Sequence, residues 1–298
     1  MTASPDVPAP DRSARDLAGS SGRAGGRPSR AGRDLGSAIA VGLALGALIL
    51  VPLLTVRQTF VGVLAAATAV ATWELRDALR RGAGIEVPLP VLLVGGQAMI
   101  WLSWPFGLRG LALAFVATAL GCLVWRMRAG AAHYLRDVSA GLFTAVYVPL
   151  FCSFVVMLTV AADGVGRVLT FMLCVVASDV GGYAVGVLAG RHPMAPSISP
   201  KKSWEGFAGS LLAGMTTGAL TLTLMLDGRW WEGALTGALL VVSATLGDLV
   251  ESLIKRDLGI KDMGRLLPGH GGLMDRLDSM LPTAVVSYLV LGLIVPLR

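Results

Sequence analysis

Charge is what this chain has least of. Asp, Glu, Lys and Arg make up 15% of its 298 residues, and 54% are hydrophobic. A soluble domain carries about a quarter charged residues, so a soluble globular fold is excluded at the outset. Cysteine is scarce as well. Cys122, Cys152 and Cys174 all lie in apolar segments without Cys-x-x-Cys spacing, which excludes a disulfide framework and leaves them as small buried hydrophobes. Histidine occurs three times; His133 and His192 read as loop residues, and only His270 stands in a charged setting. No Ser-His-Asp arrangement is present. The net charge of +6 could suggest nucleic acid, but the cations are distributed among the loops between apolar runs and follow the positive-inside bias, so no nucleic-acid partner is expected.

What the chain has instead is apolar runs near the roughly 20 residues needed to cross a bilayer. It is expected to be an all-α polytopic integral membrane protein with about nine transmembrane helices, near 37–56, 58–75, 88–104, 107–125, 138–161, 166–190, 204–226, 231–255 and 279–297. With the N-terminus cytosolic and the C-terminus outside, 20 of the 25 lysines and arginines fall on the inner face and only Arg57, Arg109, Arg167, Arg229 and Arg298 on the outer one. Residues 1–36, rich in Arg, Gly, Ser and Pro, cannot bury a core and read as a disordered cytosolic tail. Residues 37–298 form the membrane domain, with its catalytic half at about 166–298. The plasma membrane is the expected location, with the charged loops facing the cytosol.

Against this apolar background one block stands out. From Asp248 to Asp278 the chain places Asp248, Glu251, Asp257, Asp262, Asp275 and Asp278 among Lys255, Arg256, Lys261, Arg265 and Arg276. Charge beside a bilayer span usually does chemistry. Asp248, Glu251, Ser252 and Lys255 recur at helical spacing on one face, at the inner end of the eighth span. That face reads either as an internal salt bridge or as half of an ion site. Asp275 and Asp278, three residues apart on a short helix opening the ninth span, supply a second pair of carboxylates. Carboxylates on two elements close to lysines suit a hard divalent ion such as Mg²⁺, with phosphate oxygens and water completing its shell. Between the pairs, Pro268-Gly269-His270-Gly271-Gly272 is either an ordinary turn or an oxyanion loop flanked by Lys261, Arg265 and Arg276.

A second polar run, Ile198 to Gly206, carries Ser199-Pro200-Lys201-Lys202-Ser203-Trp204-Glu205. Ser199 followed by Pro200 predicts a helix start, with both lysines in its first turn as a polyanion site. The sixth span carries Ser178, Asp179 and Tyr183, with Gly182, Gly186 and Gly190 forming a small-residue packing stripe. An acid as deep as Asp179 should line a wet cavity or face a partner charge.

These motifs resemble the phosphatidate cytidylyltransferase (CDP-diacylglycerol synthase) family. The likeness rests on Ser252-Leu-Ile-Lys255-Arg256, Lys261-Asp262 and His270-Gly271-Gly272-Leu-Met-Asp275-Arg276-Leu-Asp278, with Asp179-Val-Gly-Gly-Tyr183 and Ser199-Pro-Lys-Lys-Ser203-Trp-Glu205-Gly206 before them. It implies transfer of a cytidylyl group from CTP to phosphatidic acid, giving CDP-diacylglycerol and pyrophosphate for phospholipid biosynthesis. It implies Asp248 and Asp275 as metal-binding acids for Mg²⁺, accompanied by a second, monovalent cation such as K⁺. Lys201, Lys202, Lys255 and Arg256 would hold phosphates of CTP and lipid, while Asp179, Tyr183, Asp262, His270 and Asp278 would shape the site. A homodimer in contact with membrane lipids is implied too. Two other readings stand beside this one: a CTP-dependent transferase acting on another lipid phosphate or lipid alcohol, and an ion-coupled transporter using Asp179 and Asp248. No internal repeat of spans supports the transporter.

Overall fold

A computed structural model describes residues 31–264, 266 and 271–295. His270 and Arg265, and the expected tail up to residue 30, lie outside the described residues. Among the described residues, α-helices run in the order α1 (Ala31–Thr55), α2 (Arg57–Ala83), α3 (Leu89–Met127), α4 (Tyr134–Ala145), α5 (Phe151–Val160), α6 (Gly164–Ala189), α7 (Trp204–Met225), α8 (Trp230–Asp257), α9 (Met274–Leu277) and α10 (Met280–Ile294). Strands β1 (Pro193–Ala195) and β2 (Ser199–Ser203) pair antiparallel between α6 and α7.

Among the described residues, seven helical stretches are long and apolar enough to cross a membrane, and Gly42–Thr55 of α1 is a shorter apolar one. The count differs from nine partly because the 39 residues of Leu89–Met127 count as one stretch although the helix is broken at Gly107. At 1.5 Å per residue a straight helix of that length would run about 58 Å, nearly twice the hydrocarbon thickness. The chain reverses instead at Gly107, whose φ of 53° and ψ of −137° belong to a region open essentially to glycine alone. The two halves then pack side by side: Gly95 lies against Thr118 and Gly121 against Val91, so close that a Cβ on either glycine would overlap its neighbour.

Between α4 and α5 the helix widens into a single π turn at Val146–Leu150 around Pro149, which lacks the N–H needed for an α ladder. Glycines also set the packing of α6, α7 and α8. Gly181 meets Gly209 across the α6–α7 contact, and Gly218 meets Gly233 across α7–α8, backbone against backbone. The small-residue stripe expected in the sixth span is this contact surface.

The two ends of the bundle differ in charge. At one end Arg81 donates to Met263 O (3.0 Å), Arg136 to Gly84 O (2.9 Å) and Arg256 to Ile198 O (3.4 Å). The opposite end has few cations, and two of them close helix termini. Arg57 donates to the carbonyls of Ala161 and Ala162, each at 2.8 Å. Arg167, fully buried, pairs with Asp163 at 2.7 Å and donates to Leu291 O and Val295 O at 3.2 and 2.8 Å, tying down the C-terminal end of α10. Counted by sequence only as a charge at the outer end of the sixth span, Arg167 is a structural staple in the fold.

Candidate active site

The lysine-rich segment does not start a helix. Ser199–Ser203 is extended as β2, with Ser199 opposite Ala195 and Ser203 opposite Pro193, and the helix begins only at Trp204. Ser203 is the N-cap, its Oγ accepting from Gly206 N at 3.1 Å. Pro200 is tolerated because a two-stranded ribbon has a free edge on each strand. Side chains alternate across a strand, and this aims the two lysines differently. Lys202 reaches Asp248 on α8 at 2.5 Å, while Lys201 also lines a neighbouring cavity. The helix-dipole argument for these lysines therefore gives way to a strand that presents both to one site.

That site is a cavity of about 310 Å³ whose walls include Asp179, Tyr183, Lys201, Lys202, Thr245 and Asp248. Asp179 lies within electrostatic reach of Asp248, Asp278, Lys202 and Arg276, which is the polar company its depth demands. Ser252 adds a long 3.4 Å contact to Asp248 Oδ1. A second cavity of about 260 Å³ is lined by Ser199, Lys201, Ser252, Lys255, Arg256 and Lys261. Carboxylates thus edge the first space and four cations edge the second, with Lys201 belonging to both.

The block expected to hold phosphate and metal is folded around Asp275. Its carboxylate accepts from Met263 N at 3.1 Å, Gly272 N at 2.8 Å and Gly264 N at 3.5 Å, and from Lys255 Nζ at 3.1 Å. Lys255 also pairs with Glu251 at 2.5 Å, so the internal salt bridge read from the sequence exists, with Glu251 fully buried. Glu251 and Asp248 both lie close to Asp278. Asp262 stands near Gly271, whose φ of 78° gives this turn the left-handed backbone anticipated for it. Among the described residues no three acidic, His or Cys side chains converge tightly enough to hold an ion alone. Ligand oxygens would have to complete any cation's shell.

Glu205 does not face either cavity. It holds the hairpin, accepting from Arg191 N (3.1 Å) and His192 N (3.2 Å) and meeting His192 Nδ1 at 2.5 Å. His192, read as an ordinary loop residue, is its partner. Two further residues escaped the sequence reading. Glu74 on α2, 1% exposed, accepts from Met274 N at 2.8 Å, and a Cβ on either Gly264 or Gly272 would strike its carboxylate. Tyr147, on the π turn, is buried within reach of Glu251, Asp278 and Asp248. An acid inside an otherwise apolar run was the available signal for Glu74; nothing local marked Tyr147.

Comparison with known proteins shows which family the chain is similar to. The model of the "Cytidylyltransferase family" matches residues 36–294. A phosphatidate cytidylyltransferase of Mycobacterium bovis is 54% identical over 279 residues, covering 89% of this chain and 91% of that protein. That of Mycobacterium tuberculosis is 54% identical over 279 residues, covering 89% and 85%, and that of Mycobacterium leprae 51% over 281 residues, covering 89% and 90%. By the extent of the family match and by these identities, the chain belongs to the cytidylyltransferase family.

Proposed function

We propose that this protein is a phosphatidate cytidylyltransferase that converts CTP and phosphatidic acid to CDP-diacylglycerol and pyrophosphate. The observation that carries the reading is the pair of adjoining cavities, one edged by Asp179 and Asp248 and the other by Lys255, Arg256 and Lys261, joined through Lys201. A triphosphate carries its charge over several oxygens and needs cations spread along it, which the second cavity supplies. An oxygen of the phosphatidate phosphate attacks the α-phosphorus of CTP, and the bond from that phosphorus to the bridging β-oxygen breaks. The attacking phosphate is already ionised at neutral pH, so no general base is required. Lys201 and Lys202 reach the reacting region from β2 and would hold its phosphates in line. Lys255, fixed between Glu251 and Asp275, would keep its charge aimed at the leaving pyrophosphate.

A divalent cation fits the donor set. Asp248 and Asp278 are neighbouring hard-oxygen donors, and the Asp248 carboxylate meets the side chains of Lys202 and Ser252. Family membership implies that Asp248 and Asp275 hold Mg²⁺, with a monovalent cation beside it, and the position of Asp278 adds it to that set. When bound, the ion would neutralise charge on the triphosphate. The homodimer rests on family resemblance alone.

The nine-span reading also belongs here. The reversal at Gly107 turns one 39-residue stretch into two antiparallel segments, and Gly42–Thr55 adds a short one to the remaining six. With the cation-rich end inside, the N-terminus and the site face the cytosol, where nucleotides are, and the C-terminus faces out. The plasma membrane is the proposed location.

The test is turnover by purified protein in mixed micelles with CTP, Mg²⁺ and either phosphatidic acid or another lipid phosphate or alcohol. CDP-diacylglycerol from phosphatidic acid, lost on chelation and restored by Mg²⁺, is the expected outcome. Product from another acceptor alone would overturn the substrate assignment.

A further inference from the structure

A second lipid-shaped feature lies away from the reaction, in the α3 hairpin. Between its two halves runs an apolar groove of about 750 Å³, walled by Val91, Val94, Ala98, Leu113, Ala117 and Trp125. Val94 and Leu113 each stand 73% exposed on its rim, so the groove opens sideways to what would be the acyl region of the bilayer. From Trp125 to Leu113 the helix rises about 18 Å, close to the length of one extended acyl chain.

At Trp125 the groove meets a smaller polar cavity of about 310 Å³, lined by Glu86, Pro88, Trp125, Arg126, Arg128 and Ala129. Trp125 belongs to both spaces. The guanidinium of Arg128 stacks 4.8 Å from its ring centroid, a cation held at the interface by an aromatic anchor. Arg126 is held by Asp137 at 2.9 Å and by Ala132 O at 2.7 Å, yet its buried Nη1 has no partner among the described residues. Around this cavity, among the described residues, Arg76, Arg80, Arg126, Arg128 and Arg136 have Glu86 and Asp137 as paired acids, leaving an excess of positive charge. A buried guanidinium N–H without an acceptor calls for an anion with oxygen acceptors.

We propose that the groove and the arginine cavity together form a site for one molecule of an anionic phospholipid, separate from the substrate cavities. One acyl chain lies between the halves of α3 against Ala98 and Ala117. The headgroup phosphate accepts from Arg126 and Arg128 beside Trp125. The occupant is a lipid rather than a free anion because the cation pair sits at the mouth of an apolar channel of acyl length. The proposal depends on the chain lying in a membrane and not on the transfer reaction.

The experiment measures lipids retained by the purified full-length protein by native mass spectrometry, after reconstitution in phosphatidylcholine with increasing phosphatidylglycerol. One anionic lipid per chain should be retained at least about tenfold in preference to phosphatidylcholine. Arg128→Gln, at an exposed position that leaves the Asp137 pair intact, should lower that preference several-fold, and Arg126→Gln with Arg128→Gln should abolish it. Ala117→Trp should fill the groove and remove the bound lipid of either headgroup. Millimolar inorganic phosphate should not displace the lipid. Unchanged preference in the double variant, retention in Ala117→Trp, or displacement by free phosphate would overturn the site. So would a change of oligomeric state in Ala117→Trp with lipid retention unaltered, since the groove would then be covered by a second copy. Because the readout is lipid bound and not product formed, it stands or falls independently of the cytidylyl-transfer assay.

Discussion

Two aspartates that share the candidate site are held in different ways, and their variants should separate. Asp248 reaches the side chains of Lys202 at 2.5 Å and Ser252 at 3.4 Å, whereas Asp275 gathers three backbone N–H groups and Lys255. Asp248→Asn should lower kcat about 10²-fold or more by removing charge at the reacting phosphates, with little change in thermal stability. Asp275→Asn should lose activity and stability together, by roughly 1–3 kcal/mol, because acceptors for buried N–H groups are weakened. Turnover and detergent-phase thermal unfolding, measured on the same preparations, check both; equal stability in the two variants would refute the distinction. Glu74 belongs with Asp275. Glu74→Ala should leave the Met274 amide unsatisfied, loosening the turn that carries Gly272 and Asp275, and reduce kcat about tenfold or more. Glu74→Gln keeps an acceptor oxygen and should recover most of the rate. Amide exchange at Gly272 and Met274 should rise in Glu74→Ala and not in Glu74→Gln.

Helices were legible in the sequence where a long apolar run was bounded by charge, as in the span expected over 231–255, which is α8 to Asp257, whereas α2 runs past the expected residue 75 to Ala83. Local chemistry misled at Ser199-Pro200, which fits a helix start as well as Ser203 does. The choice falls to Ser203 because β1 is available to pair with residues 199–203 and because Glu205 ties the hairpin through His192, and both are tertiary facts. A cap at Ser203 predicts that Ser203→Ala costs about 1 kcal/mol while Ser199→Ala leaves stability unchanged, by thermal unfolding. The depth of Glu74 in the site was hidden for the same reason. Its partner, Met274, lies 200 residues away, and only the packing of α2 against the loop before α9 brings them together. Spacing within one segment revealed the Asp248–Lys255 face; spacing cannot reveal contacts between segments.

At the scale of the molecule, the arginines divide between two tasks that composition alone could not separate. The cation-rich end carries the candidate site, while at the other end Arg57 and Arg167 close the C-terminal carbonyls of α5 and α10. Counting charges therefore proposes an orientation but overlooks that Arg57 and Arg167 serve as helix caps at the cation-poor end. The orientation itself can be tested on the native sequence, because Cys122, Cys152 and Cys174 are all buried and should stay silent to a membrane-impermeant maleimide. Ser197 in the β1–β2 turn and Ala129 after α3 are exposed at the cation-rich end, and Ala162 is exposed at the other. In intact cells Ala162→Cys should label readily, whereas Ser197→Cys and Ala129→Cys should label only once the membrane is opened. Labelling of Ser197→Cys from outside would invert the topology and carry the candidate site away from the nucleotide pool, and with it the case for CTP as substrate. Labelling of Ala129→Cys and Ala162→Cys from the same face would contradict the membrane crossing by residues 134–160, which should place them on opposite sides.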